Sequence, residues 1–522
     1  MHYPRDAKVI VMDFLRHSDK LDSVVPGVTE AYRRLRASHG QGIYTSLGRY
    51  YNHTLFGRDG GMTAKFVSDF DHQVVHETII TLASHQGMSY NPVTQEQPGR
   101  IHHELRDYAA WQGRWYDRIG LWAAGRAWGM HNRKLLTYYA ADTTATYIRL
   151  VHKYAARIDA SILDRQVPRA DGSIWTVRES VTAAADWIAS QVDDEGIMLT
   201  RRTNRLSLPY QIFADSVTAY AWRDGKLADA SRAHSYVEAQ GYGIDALQDA
   251  ARIMPSEPNS RLWRDTAERM YQALFDKFWN DNEHIFAPAL FERDGNMAQL
   301  DTEMITAGWT LNTSFWTDTP NPHHRAKIIR IVTRLFRDDF LTDAGLRTRS
   351  KRTHEPLGDT IDYHGSQTVW PMFNFMVVEG LRRHGLYRLA RQLEARLINS
   401  INAVGDFPEF IVVDHDGKLY RPDKSSRIKR HGQMIPEQHI AFTVVPALTL
   451  AYRHSYPRTS PADSGWQYDL ESEILATIPN IEVLEPSEAA AQLNPTPLRI
   501  SRTVAGFASA WRILPIFIRR PR

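Results

Sequence analysis

Apolar residues recur at three- and four-residue steps along most of the chain, the period of helices that bury one face. Residues 60–86 show it best, with Met62, Phe66, Phe70 and Val74 at steps of four, and they predict one amphipathic helix. The same pattern predicts helices over 119–129, 142–158, 174–192, 230–253, 261–279, 302–316, 322–337, 367–385, 386–403 and 436–454. Strand-like alternation is scarce. One short hairpin is expected over 410–419, where Asp416-Gly417 supplies the turn.

Some links between these helices are a few residues long, while others are far longer: 53–59, 91–106, 200–229, 340–364 and 407–430. Long irregular connections in a helical protein are usually functional or disordered. These hold many Trp, Tyr, His, Arg and acidic residues, so they read as ordered loops lining a common site. A succession of helix hairpins with its long loops at one face predicts an all-α (α/α)6 toroid with at most one small β-hairpin. An α-solenoid gives a similar pattern, but the chain shows no fixed-period repeat. The expected organisation is an N-terminal extension over 1–43, a catalytic domain over 44–455 and a C-terminal linker and tail over 456–522.

The 522 residues carry a formal net charge of +3, and the basic residues are scattered except at the C-terminus, so nothing points to nucleic acid. Cysteine is absent, which excludes disulfides, thiolate nucleophiles and cysteine-ligated zinc. The apolar run Val9 to Met12 is broken by Asp13 and is too short for a signal peptide or a membrane span, so a cytoplasmic location is expected.

Two carboxylates stand among apolar neighbours. Asp215 lies in Tyr210-Gln211-Ile212-Phe213-Ala214-Asp215-Ser216, and Glu409 in Phe407-Pro408-Glu409-Phe410. A carboxyl in apolar surroundings resists ionisation and can keep a proton to deliver. The other reading of Asp215 is a helix N-cap, and of Glu409 a structural partner for an arginine. Arg58-Asp59, at the head of the first strong helix, can cap it and can also fork around vicinal hydroxyls. Asp142 opens another helix, and His364 and Trp370 precede Pro371 at the head of a third. Asp414-His415-Asp416 lies in the expected turn and reads as a solvated loop, so no metal and no cofactor is expected.

Five segments together resemble the glycogen-debranching amylo-α-1,6-glucosidase family within the six-hairpin glycosidases. In order they are Phe56-Gly57-Arg58-Asp59; Pro98-Gly99-Arg100 through His103-Glu104-Leu105-Arg106; Phe213-Ala214-Asp215-Ser216 with Asp224-Gly225 and Glu238-Ala239-Gln240-Gly241-Tyr242; Tyr363-His364 with Val369-Trp370-Pro371; and Phe407-Pro408-Glu409. The resemblance covers residues 44–454. It implies Asp215 as general acid, Glu409 as general base, and Arg58 and Asp59 as contacts to the non-reducing sugar. It further implies substrate contacts from Glu104, Arg106, Asp142, Glu238, Gln240, His364 and Trp370. Hydrolysis with inversion needs such an acid and base roughly 6.5–9.5 Å apart, leaving room for a water.

The sequence departs from the family where Trp-Lys usually precedes the acid and Phe213-Ala214 stands instead, and at Gly60, where a hydroxyl residue is usual. Both changes fall near the sugar. The implied function is an inverting exo-glycosidase that releases glucose from an α-1,6-branched oligosaccharide or a glycogen-type limit dextrin. The alternative is another inverting (α/α)6 glycosidase acting on trehalose, glucosylglycerate, mannosylglycerate or a related α-glycoside such as an N-glycan-like glucoside. A toroid that binds carbohydrate without cleaving it is the reading from another class. The tail from Ser501 to Arg522 carries five Arg and no acid among aromatic and aliphatic residues. It reads as packed on the protein or disordered, with contact to a membrane surface as the other reading.

Overall fold

The computed structural model describes residues 18–478 except 38–39, 49–50, 52, 108–121, 124, 132–133, 294, 320, 359–360, 420–435 and 457–464. The basic-aromatic tail and the first seventeen residues lie outside the described residues, as does part of the helix expected over 119–129.

Among the described residues, six segments are buried on nearly every side and form the inside of the molecule: Gly57–Val67, Thr143–Arg157, Val237–Ile253, Ile305–Asn312, Pro371–Arg383 and Ala441–Ser455. Every residue from Pro371 to Val378 is buried, and so is every residue from Ala441 to Ala451. A helix without a polar face must be surrounded. Each of the six packs on the next in chain order, and Ala441–Ser455 packs back on Gly57–Val67, so the series closes. Glycines permit the closest approaches: a Cβ at Gly57 would stand 2.1 Å from the His102 carbonyl oxygen, and one at Gly380 would stand 2.6 Å from Leu311 Cβ.

Each inner segment is backed by another helix: His72–Ser84, Val177–Ser190, Ser260–Ala273, His324–Leu335, Tyr387–Val404 and, for Ala441–Ser455, Val28–Leu35. The last of these lies within the residues expected to form an N-terminal extension. Beyond it, the segment around Thr45 is joined to the start of Ala441–Ser455 through Ala441 N donating to Thr45 O at 2.8 Å and the Ser46–Ile440 bridge. A further helix, Gly465–Thr477, packs on His324–Leu335. Its Glu471 accepts from the Arg388 and Leu389 amides at 2.6 and 3.0 Å, covering open donors at the start of Tyr387–Val404.

Two expectations are corrected. The single helix expected over 60–86 is two, Gly57–Val67 and His72–Ser84, because Asp71 accepts from Val74 N at 3.1 Å and caps the second. Strands are also more numerous than one hairpin. Leu55–Phe56, Glu104–Asp107 and Lys134–Thr137 form one antiparallel sheet, and Asn296–Gln299, Ala289–Arg293 and His234–Tyr236 form another. At two to five residues each, these strands are too short for alternation to show. Asp414 to Lys418 makes the expected turn and Val413 bridges Leu419 across it, while Ile411–Val412 also pairs with Thr368–Val369.

Candidate active site

Residues at or beside the N-terminal ends of several inner segments gather around one pocket. Phe56, Arg58 and Asp59 come from the start of Gly57–Val67, Trp370 from just before Pro371–Arg383, and Ile440 and Phe442 from the start of Ala441–Ser455. Thr45, Tyr51, Phe213, Asp215, Tyr363 and Glu409 complete the lining of a cavity of about 50 Å³. Helix N-termini carry partial positive charge, which suits a pocket holding three carboxyl groups.

The aromatic wall is built on Phe213. Its ring stacks on Phe442 at 4.9 Å and meets Trp309 and Phe373 edge-on at 4.7 and 5.1 Å. The Arg58 guanidinium lies over the Phe213 face at 4.6 Å. Ala214 is fully buried beside it.

Arg58 is surrounded by acids: Asp215 Oδ2 at 3.4 Å, Asp59 Oδ1 at 3.8 Å and Asp142 Oδ1 at 3.9 Å. One cation serves three carboxyls in a place with little water. Burial drives the Asp59 carboxyl up to about 7 against the opposing pull of Arg58. Burial also raises Asp215, to about 6, with Arg58 lowering it and the charge of Glu409 raising it further. The Asp215 side chain keeps 27% of its surface open to the cavity. A carboxyl with these properties can hold a proton near neutral pH and hand it to a group in the pocket.

Glu409 is held differently. Tyr363 Oη donates to Glu409 Oε1, the Glu437 amide donates to Oε2 at 3.3 Å, and the Glu409 amide donates to the Glu437 carbonyl at 2.8 Å. Glu437 is buried in turn, where it accepts from Ser46 Oγ at 3.0 Å. Two donors aimed at the Glu409 oxygens favour its charged, acceptor-only form.

Of the residues proposed from the sequence, Arg58, Asp59, Asp215, Trp370 and Glu409 line the pocket. The other six stand outside its lining. Asp142 is completely buried behind Arg58, and burial raises its pKa against the opposing pull of Arg58. Glu238 accepts from Tyr220 Oη at 3.3 Å, and burial pushes it up to about 8. Glu104 pairs with Arg106 at 2.7 Å on the strand next to Phe56. Gln240 bonds the Gly196 and Met270 carbonyls at 2.7 and 2.9 Å and the Met198 amide at 2.9 Å, which engages its whole amide in backbone. His364 stacks on Trp370 at 4.9 Å and pairs through Nδ1 with Ser216 Oγ at 2.9 Å; burial keeps it neutral.

Sequence reasoning did not single out Tyr363 or Glu437. The doublet Pro436-Glu437 repeats Pro408-Glu409 and was the available signal for the second. Among the described residues, no group of three or more His, Asp or Glu side chains is arranged to hold a metal ion, and no helix is long and apolar enough to cross a membrane.

Neither a family model nor a curated protein sequence matches this chain. Solved structures do. The GH63 mannosylglycerate hydrolase from Thermus thermophilus, crystallised with glucose, aligns over 81% of this chain and 98% of its own at 15% identity and a TM-score of 0.51. A structure described as a wild-type glycosidase aligns over 84% of this chain and 98% of its own at 14% identity and a TM-score of 0.50. An uncharacterized conserved protein, also from Thermus thermophilus, aligns over 82% and 99% at 14% identity and a TM-score of 0.51. The chain shares their fold.

Proposed function

We propose that this protein is a glycoside hydrolase of the six-hairpin, (α/α)6 kind that removes one hexose, with inversion, from the end of a small α-glycoside. The observation that carries the proposal is the meeting of Asp215 and Glu409 in one aromatic-walled pocket at the ends of the inner helices. The closed order of packing among six inner segments, each backed by another helix, supports the toroid.

In this reading Asp215 holds the proton and gives it to the leaving glycosidic oxygen, while Glu409 takes a proton from the water that attacks the opposite face of the sugar. The packed aromatic rings around Trp370 and Phe213 fix the shape of the wall that meets the ring, and Arg58 and Asp59 bond its hydroxyls. Asp142, Glu238 and His364 set the charge and shape of the layer behind. No metal or cofactor takes part in these steps.

The structural neighbour that hydrolyses mannosylglycerate favours a small glycoside, such as mannosylglycerate, glucosylglycerate or trehalose, over the α-1,6 branch expected from the sequence. Proton NMR of the enzyme with these three, isomaltose, panose, maltotriose and phosphorylase-limit dextrin tests the choice. Early β-hexose from one of the small glycosides is the expected result. An early α-anomer without β refutes inversion (trehalose, whose leaving glucose keeps its α configuration, gives one α and one β under inversion), early β-glucose only from the branched substrates restores the debranching reading, and no release from any of them refutes the enzyme assignment.

A further inference from the structure

Arg349 is completely buried, and its guanidinium grips two loops at once. Nη1 donates to the carbonyls of Thr218 and Ala219 at 3.0 and 3.2 Å. Nη2 donates to Asp362 Oδ2 at 2.9 Å and to Glu355. Asp362 returns to the first loop, since its Oδ1 accepts from Thr218 Oγ1 at 2.5 Å, and Glu355 accepts from the Ser366 amide at 2.7 Å. A third tie runs from His364 Nδ1 to Ser216 Oγ at 2.9 Å. The first loop carries Asp215. The second carries Tyr363, whose hydroxyl holds Glu409.

We propose that Arg349 and Asp362 form a positioning hub that fixes the acid's loop to the loop anchoring the base, and so sets the spacing of Asp215 and Glu409. The hub has this meaning only under the function proposed above. A buried ion pair kept for stability alone needs only its two charges, whereas here the guanidinium spends as many donors on the backbone beside Asp215 as on the two carboxylates. Only a planar fork of donors serves both sets together; an ammonium group presents a point charge on a flexible stem. Placement matters because a shift of about 1 Å can cost about 10²-fold in rate. Asp215 itself sits in the field of Arg58, Asp59 and Glu409, and Glu409 raises its pKa. Loosening the hub separates the two carboxyls and weakens that contribution.

The test is a double-mutant cycle on the full chain with Thr218→Val and Tyr363→Phe, read as kcat, KM and the pH profile of kcat/KM on the substrate the wild type cleaves. Thr218→Val is uncharged and isosteric, so it cuts the Asp362 tie without altering the local field. Each single change should lower kcat about tenfold with KM held, and the double should fall no more than about twofold below the worse single, because both break one linkage. The alkaline limb should move to lower pH in Thr218→Val. Arg349→Lys should match Thr218→Val in both readouts, and if it fails to fold the cycle decides without it. Multiplicative effects, or an unmoved limb in a folded Thr218→Val enzyme, overturn the hub while leaving the function standing. A wild type inactive on every glycoside overturns both.

Discussion

Replacing Arg58 by Gln should carry the alkaline limb of kcat/KM to higher pH. Under the proposed mechanism that limb, in the free enzyme, reports the proton on Asp215, whose pKa is raised to about 6. At pH 7 only about one molecule in eleven then carries the proton. Arg58 Nη2 stands 3.4 Å from Asp215 Oδ2, where its positive charge favours the carboxylate. At an effective dielectric near 20, a unit pair at that distance interacts by about 5 kcal/mol. Asp59 and Asp142 share the same guanidinium, and an adjacent cation ordinarily lowers a carboxyl by about 1–3 units. Removing the charge therefore places the limb at about 7–9. The sign is fixed: without the cation the anion is less favoured, so the protonated acid persists to higher pH. Initial rates at low substrate from pH 4 to 9 give the limb directly, and its position is independent of the affinity lost with Arg58. A limb that stays near 6 or moves toward acid would show that Asp215 is not the proton donor or does not feel Arg58.

Other outcomes are expected from the same geometry. Asp215→Asn and Glu409→Gln should each lower turnover by about 10²–10⁴-fold while glucose still binds, as isothermal titration would show; near-normal turnover in either variant would remove it from the mechanism. Gln240→Leu strands two buried carbonyls and one amide, at about 1–3 kcal/mol for each group, so thermal denaturation should show a marked loss of stability with KM unchanged. A raised KM in a stable Gln240→Leu protein would instead restore it as a substrate contact. Asp59, Asp215 and Glu238 all bind protons more tightly in the folded state, at about 7, 6 and 8. At these three groups the native protein holds more protons than the unfolded chain, so their share of the stability should decline as pH rises from 5 to 8, against the opposite contribution of His102, His103, His234, His364 and His384, which burial keeps neutral. The stability difference between wild type and Glu238→Gln, read from melting curves, should therefore move against wild type as pH rises from 5 to 8.

The inner helices were legible because their apolar residues recur at every turn, and the two pocket carboxyls because each stands out against aromatic neighbours. The break before His72 was less visible: Phe70 and Val74 keep the four-residue stripe going across it, and only Asp71 marks the cap. Gln240 shares a helix with Glu238, yet two residues along a helix turn a side chain to another face, here toward the Gly196 carbonyl. Tyr363 and His364 are adjacent, and no periodicity decides which of two neighbours in a loop faces a cavity. The structure turns Tyr363 to Glu409 and lays His364 against Trp370. Asp142 and Glu238 show a similar limit, since sequence brings acids to helix starts without saying which one a cation will shield from the pocket.

The partnership of Val28–Leu35 with Ala441–Ser455 has a consequence for biosynthesis. The last inner helix must meet both Gly57–Val67 and a helix made some four hundred residues earlier, so these contacts cannot form until residues 441–455 leave the ribosome. At about 5–20 residues per second, an early helix waits tens of seconds for its partner. During that time Leu21, Val25, Val28 and Leu35, all buried in the finished protein, have no final packing surface. Truncation within Ala441–Ser455 should therefore yield aggregates rather than a smaller soluble protein.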